Sequence, residues 1–489
     1  MLITFALLCV FTVMLSGYAF LGKYILLINH KNKNKNENYD FIFGILIVGT
    51  LSIVLNFFFK LSYFFEFVII LGLTLFLISI YKYKNNINYL SLFFFLFLFT
   101  FISYDNGLVY DSPLYHQQNL KYHTDSKIIF GLINLEPRYA MVSLWQSFIA
   151  IFSRNLLTFN PAYLLSLIPF SFLCNHVFSK RNENSLSNNF LFFCLFVIFL
   201  FAILHPFKDG IMLNALGSPE TDIVPIVFIV FSFYFFLRFI AETQSVDLIY
   251  LILFSLLAMF SKIINLPLIF LVIFCLFLKY NFKTIFTIHI KENYAVYLSI
   301  FFISMIWIIK NIIISGCLVF PVSFTCLDVD WADVNVAKYH ALEAISWNRD
   351  TELRANWGNF DFTIYSYDWF IPWVKGYLFK VSILQMVLVS FGFLSLSFLY
   401  KIIMFSNSLK FNHFSCVYLF FFPFFLLIFM QSPEVRYFHG LFILIISFNM
   451  LITFENIFTR SIKINQKVKT FILFLLIIIL SLKNYSNFN

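Results

Sequence analysis

Titratable side chains crowd one short stretch of an otherwise apolar chain. Asp111, His116, His123, Asp125, Glu136 and Arg138 all fall within "YDSPLYHQQNLKYHTDSKIIFGLINLEPRYAMVSLWQ", residues 110–146. A carboxylate can take a proton from a hydroxyl nucleophile, and an imidazole can share it. A guanidinium can fork two donors onto a phosphate or a carboxylate. Asp111 and His116 stand about one helical turn apart, which suits a shared site. The pattern also has a plainer reading. Ser112 and Pro113 follow Asp111, as they would after a helix N-cap with Pro in the first turn. Between these roles (general base or metal ligand, or cap) the residues alone leave the choice open. Arg138 offers the same choice, between a phosphate on one side and Glu136 or lipid headgroups on the other. Asn134 adds an amide nearby.

Other clusters repeat the theme. "GSPETDIVP" (217–225) carries Glu220 and Asp222, which suit either a binding site or the positive N-terminus of the next helix, with Ser218 or Thr221 as cap. Lys262 in "FSKIINLP", and Lys310 beside Asn311 in "WIIKNIIISG", are costly if they face lipid. Either they snorkel to the surface or they turn toward an anion in a polar cavity. "QSPEVRYFHG" (431–440) packs Glu434, Arg436 and His439 into one short turn. Cys317 and Cys326 enclose a short segment, and a disulfide between them is expected if it lies outside the cytoplasm; the alternative is two unpaired thiols. Trp347, Trp357, Trp369 and Trp373 lie among Asp350, Glu352, Asp361 and Asp368. That mixture suits sugar recognition, or for Trp369 and Trp373 an interfacial belt.

The elements that must position these groups are membrane helices. The chain has 489 residues, 61% hydrophobic and only 12% charged, against about 25% charged in a soluble protein. Apolar runs long enough to cross a bilayer recur from end to end. The fold class is an all-α polytopic integral membrane protein. Candidate spans are 2–27, 41–59, 64–81, 88–104, 160–178, 188–205, 222–237, 247–264, 266–278, 294–315, 379–400, 413–430, 439–457 and 470–482. The first is read as a retained span, lacking a basic n-region and a cleavage motif. Basic loops such as "NHKNKNKNENYD", "YKYKNN", "SKRNENS" and "TRSIKINQKVK" all thread to the cytoplasm. Parity then requires that "AMVSLWQSFIAIF" (140–152) be a re-entrant or surface-lying helix. The count is about fourteen spans, with both termini outside.

This threading divides the chain into N-terminal helices (1–104), a first large extracytoplasmic loop with its re-entrant helix (105–159), central helices (160–315), a second large loop (316–378) and C-terminal helices (379–489). All four polar clusters fall on one side. The net charge of +9 is accounted for by the cytoplasmic loops and requires no nucleic acid. No GxGxxG or Walker loop, fixed-period repeat or metal-ligand cysteine spacing occurs. No cofactor is expected, and ligand spacing gives no support for a divalent metal.

"YDSPLYHQQNLKYHTDSKIIFGLINLEPRYAMVSLWQS", "SPETD", "WIIKNIIISGCLVFPVSFTCLDVDW" and "SPEVRYFHGLFIL" occur in this order. Together they resemble a family of bacterial envelope membrane proteins of polysaccharide assembly. The family is similar to O-antigen polymerases and, more distantly, to GT-C membrane glycosyltransferases. The resemblance covers about 105–445. It implies an inner-membrane enzyme with a periplasm-facing site, a glycan donor on a polyprenyl phosphate or diphosphate, and other polysaccharide-assembly proteins as partners. Asp111 matches the position of the family's catalytic acid; Ser112 stands where a paired acid is usual. On this basis Asp111 is expected as base, with His116 orienting it or sharing its proton. Arg138, Arg436 and Lys310 are expected on the phosphate. Asn134, Glu220, Asp222, Asn311 and His439 are expected around the substrate. Cations so gathered are expected to require a bound phosphate between them. A secondary transporter or lipid-linked oligosaccharide flippase is the alternative.

Overall fold

The structure, a computed structural model, describes residues 1–25, 39–82, 87–103, 111–154, 160–180, 185–204, 214–219, 221–242, 244–279, 293–350, 358–378, 411–431, 433–458, 469 and 471–479. Helices form wherever apolar sequence runs on, because a backbone in hydrocarbon must satisfy its own N–H and C=O groups. They are α1 (Leu2–Ile25), α2 (Phe41–Phe58), α3 (Phe65–Lys82), α4 (Tyr89–Ser103), α5 (Gln117–Asp125), α6 (Leu144–Ala150), α7 (Leu167–Ser179) and α8 (Leu186–Leu204). Then follow α9 (Ile223–Glu242), α10 (Ser245–Ser261), α11 (Leu268–Lys279), α12 (Tyr294–Ser315), α13 (Val334–Arg349), α14 (Phe370–Trp373), α15 (Phe411–Gln431) and α16 (Val435–Phe458). Among the described residues, eight helices are long and apolar enough to cross a membrane, and four shorter apolar ones accompany them. No strand occurs among those residues, only isolated bridges. The fold is therefore all-α and of the multi-pass membrane type. The expected span 379–400 and Glu220 lie outside the described residues, as do the last residues of the expected span 470–482.

Lipid offers little hydrophobic drive for helix association, so close backbone contact must supply dispersion energy instead. Gly17 and Gly72 provide it where α1 crosses α3. A Cβ on Gly17 would meet the carbonyl oxygen of Gly72, and one on Gly72 would meet the side chain of Met14. Gly72→Val is expected to destabilise the bundle by about 1–3 kcal/mol, read as a lower unfolding temperature in detergent; an unchanged melt would show that the two helices do not touch.

Helix α6 decides how the first large loop is built. Ser143 caps it, its Oγ accepting from Gln146 N at 3.2 Å. All seven of its residues are buried, against α2, α5 and α10. The surface-lying alternative is corrected: Trp145 is 1% exposed and packs on Phe148, which in turn meets Phe152. Seven residues span about 10 Å, a third of a bilayer core.

The two large loops share one small core. Ile128, Leu132, Ile133 and Ala140 of the first pack with Ile314, Cys317, Phe320, Ala332 and Ala337. Gly131 adopts φ 63°, where a side chain is strained, and a Cβ there would strike the carbonyl oxygen of Trp331. Asn134 stitches the loops together, donating to Trp331 O at 2.9 Å and accepting from Asp333 N at 3.0 Å. A disulfide joins Cys317 to Cys326. Closing so short a loop is worth about 2–3 kcal/mol, so reductant is expected to lower the unfolding temperature of the wild type and leave that of Cys317→Ser/Cys326→Ser unmoved.

Trp369 and Trp373 do not form an interfacial belt. They are 3% and 8% exposed and pack on Phe429 of α15, and Trp373 Nε1 donates to Pro433 O at 2.8 Å. Arg349 completes this dock, donating to Thr363 O at 2.8 Å and Met430 O at 2.6 Å with its guanidinium over the Trp369 ring. The second loop is thereby clamped to the turn that carries Glu434 and Arg436.

Candidate functional site

Three helix ends and one loop meet at the same end of the bundle. Asp222 immediately precedes α9, Lys262 immediately follows α10, and Glu434 and Arg436 flank the start of α16. The π-helical turn Ser112–His116 brings Asp111 to them. Its side chain makes no capping hydrogen bond, so the carboxylate is directed elsewhere. It accepts from Arg436 Nη1, across 325 residues of sequence. Arg436 Nε donates to Glu434 Oε2 at 3.1 Å. Lys262 Nζ donates to Asp222 Oδ1. Tyr437 lies between the two cations, with Lys262 Nζ 4.5 Å and the Arg436 guanidinium 5.2 Å from its ring centre. Tyr115 approaches Asp111 Oδ2 with its hydroxyl at 3.5 Å, and its ring faces Arg138. Ser112 and Ser218 share a hydroxyl–hydroxyl contact that holds the loop against the approach to α9.

Three carboxylates thus surround two cations. The expectation that a bound phosphate must balance gathered cations is corrected, because the chain supplies its own anions. The groups remain in reach of solvent: the side chains of Asp111 and Arg436 are 17% and 21% exposed. Burial alone would push the Asp222 carboxyl up, but the charges of Lys262 and Arg436 outweigh it and hold it well below the usual carboxylate range. Its pairing therefore contributes stability that is complete above about pH 4 and fades on acidification. Burial pushes Tyr115 well above its ordinary value, aided by the Asp111 charge.

His116 does not orient Asp111. Its Nδ1 faces Gln146 Nε2 at 2.6 Å, and Gln146 Oε1 in turn accepts from Asn119 Nδ2 at 2.9 Å. Burial lowers its pKa to about 4, with the charges of Asp222, Lys262, Asp111 and Arg436 close enough to act on it. Tyr115 and Arg436 contact Asp111 instead.

The remaining expected site residues separate into other settings. Arg138 donates to Glu136 at 2.8 Å on the exposed side of Tyr115. Lys310 is fully buried, and its Nζ donates to Ser147 Oγ of α6 at 2.8 Å. Lys262, not Lys310, is thus the second cation beside Arg436. Asn311 donates to Trp307 O and accepts from Phe320 N, so it fastens the end of α12 to the loop beyond. Asn134 performs the loop stitching described above. His439 is buried near the start of α16, three residues after Arg436.

Sequence reasoning placed no role on Tyr115, Tyr437, Gln146 or Asn119. The signal for the tyrosines was their adjacency to Asp111 and Arg436 in two polar turns. Nothing in the sequence singled out Gln146, or Asn119 in its polar run. Among the described residues, no group of three His, Cys, Asp or Glu side chains is arranged to hold a metal ion.

An apolar groove of about 400 Å³ opens between α11 and α15, lined by Pro267, Phe270, Phe274, Phe420, Pro423, Phe424, Leu426 and Leu427. Pro423 inside α15 contributes to it, since proline withholds a backbone donor and disturbs the turn before it. Pro267 stands five residues beyond Lys262, and Leu427 seven before Glu434.

No curated protein and no solved structure matches this chain. A family model does match, over residues 1–443, and the chain belongs to that family, described as a domain of unknown function, DUF8201.

Proposed function

We propose that this protein is a membrane glycosyltransferase of cell-envelope polysaccharide assembly, acting on polyprenyl-diphosphate-linked glycan in the manner of an O-antigen polymerase. The observation that carries the reading is the cluster of Asp111, Asp222, Lys262, Glu434 and Arg436, drawn from four distant segments to one end of the bundle. The apolar groove between α11 and α15 supports it, since an isoprenoid tail needs apolar walls. The same reading keeps the fourteen-span threading, a GT-C-like arrangement, and a site facing the periplasm of the inner membrane.

In the reaction, an acceptor sugar hydroxyl oxygen bonds to the donor's anomeric carbon. The bond from that carbon to the diphosphate oxygen breaks, and polyprenyl diphosphate leaves with the electron pair. The hydroxyl proton passes to a carboxylate within hydrogen-bond reach. Lys262 and Arg436 are the fixed cations for the charge that develops on the leaving group. Asp111 is held by Arg436 at rest. A phosphate bound to Arg436 competes for the guanidinium and frees the carboxylate to act as base.

Full-length protein in lipid nanodiscs, given polyprenyl-diphosphate oligosaccharide with and without divalent cation and no nucleotide sugar, is expected to lengthen the glycan. Absence of growth under both conditions would remove the proposal. A flippase would move the same lipid across vesicle membranes without lengthening it.

A further inference from the structure

We infer that Gln146 is a positioning residue that holds His116 as its neutral Nε2–H tautomer, so that the ring offers the charged cluster a proton donor and not a base. The geometry runs through three buried side chains. Asn119 Nδ2 donates to Gln146 Oε1, which leaves Gln146 Nε2 as the group facing His116 Nδ1. An amide NH2 can only donate, so Nδ1 must be the ring's acceptor and Nε2 must carry the proton. The reverse network, with both amides turned over, is less favourable. Asn119 Oδ1 has no partner at present; turned over, that place would hold a buried NH2 without an acceptor. An unsatisfied buried donor is the rarer and costlier defect.

Protonation of Nδ1 would set two donors against each other, so the network and the burial of His116 both oppose the imidazolium. The groups whose charges bear on the ring are Asp111 beside its own turn, Asp222 before α9, Lys262 after α10 and Arg436 on α16. Tyr115 lies tilted against it, 4.2 Å between ring centres. Near neutral pH the ring adds no charge to the cluster, and its Nε2–H is a hydrogen-bond donor suited to a phosphate oxygen. This role rests on the proposed lipid-diphosphate substrate; the tautomer itself does not.

The test is 15N NMR of histidine-labelled full-length protein in nanodiscs, with His116→Asn to assign the resonance. The wild type is expected to show one nitrogen pattern, Nε2 protonated and Nδ1 bare, at pH 7. Gln146→Leu should yield a mixture of tautomers. Gln146→Glu should move the His116 titration up by about one to three pH units, because a carboxylate then accepts from Nδ1–H. An Nδ1–H pattern in the wild type, or the wild-type pattern retained in Gln146→Leu, overturns the inference. Inorganic pyrophosphate is expected to shift the Nε2–H resonance, and absence of that shift would overturn the donor role. Failure of glycan growth would leave the nitrogen pattern unchanged, so the two proposals fail separately.

Discussion

Arg436→Ala is expected to slow glycan growth by roughly 10²–10³-fold, the penalty for losing one fixed cation from a developing charge. The same change strips the partner from Asp111 and Glu434, which then repel each other in a half-buried setting. Breaking a fully buried pair costs about 3–5 kcal/mol; the exposure of these side chains places the loss of stability below that. The double variant Asp111→Asn/Arg436→Gln removes both charges together and is expected to recover most of the stability while staying inactive. Initial rates and unfolding temperatures of the single and double variants separate the two effects. If Arg436→Ala loses stability but keeps its rate, the guanidinium is structural and the phosphate role falls.

Asp111→Asn addresses the base. The substitution keeps the shape and leaves Arg436 its contact with Glu434, so insertion and folding should persist. The amide cannot take the hydroxyl proton, and the rate constant is expected to fall by roughly 10²–10⁴-fold. KM for the lipid-linked donor should fall as well, because the carboxylate that competes with phosphate for Arg436 is gone. Rates measured across donor concentrations read both quantities. An Asp111→Asn enzyme with an unaltered rate constant assigns the proton transfer to another group, with Asp222 and Glu434 the other carboxylates of the cluster.

Much of the frame was legible in the sequence, because a bilayer imposes a length and a polarity on whatever crosses it. The expected spans 41–59 and 294–315 correspond to Phe41–Phe58 and Tyr294–Ser315 almost residue for residue. Asp111 and Arg436, which loop charge put in one group of polar clusters, do meet. What hydropathy cannot encode is partnership. Lys262 and Lys310 look alike in sequence, each a lone cation near a helix end. Which of them joins Arg436 depends on how α10 and α12 pack against their neighbours. Asn134 and Asn311 likewise read as candidate ligands until their amides were seen to fasten backbone. The surface-lying option for residues 140–152 failed for a related reason. An apolar segment too short to cross can be buried as readily as it can float, and the Ser143 cap and the side chains of α2 decide the matter.

Helix α6 also constrains how the protein is made. Its Ser147 waits for Lys310, 163 residues further along the chain. At ordinary rates of translation that is on the order of ten to thirty seconds. During that interval a seven-residue segment, too small to be handed to the lipid on its own, has to be sheltered first by α2 and α5 and then by α10, without α12. The centre of this molecule is therefore sealed late in biogenesis, and chains truncated before α12 should leave it open to water and to quality-control proteases.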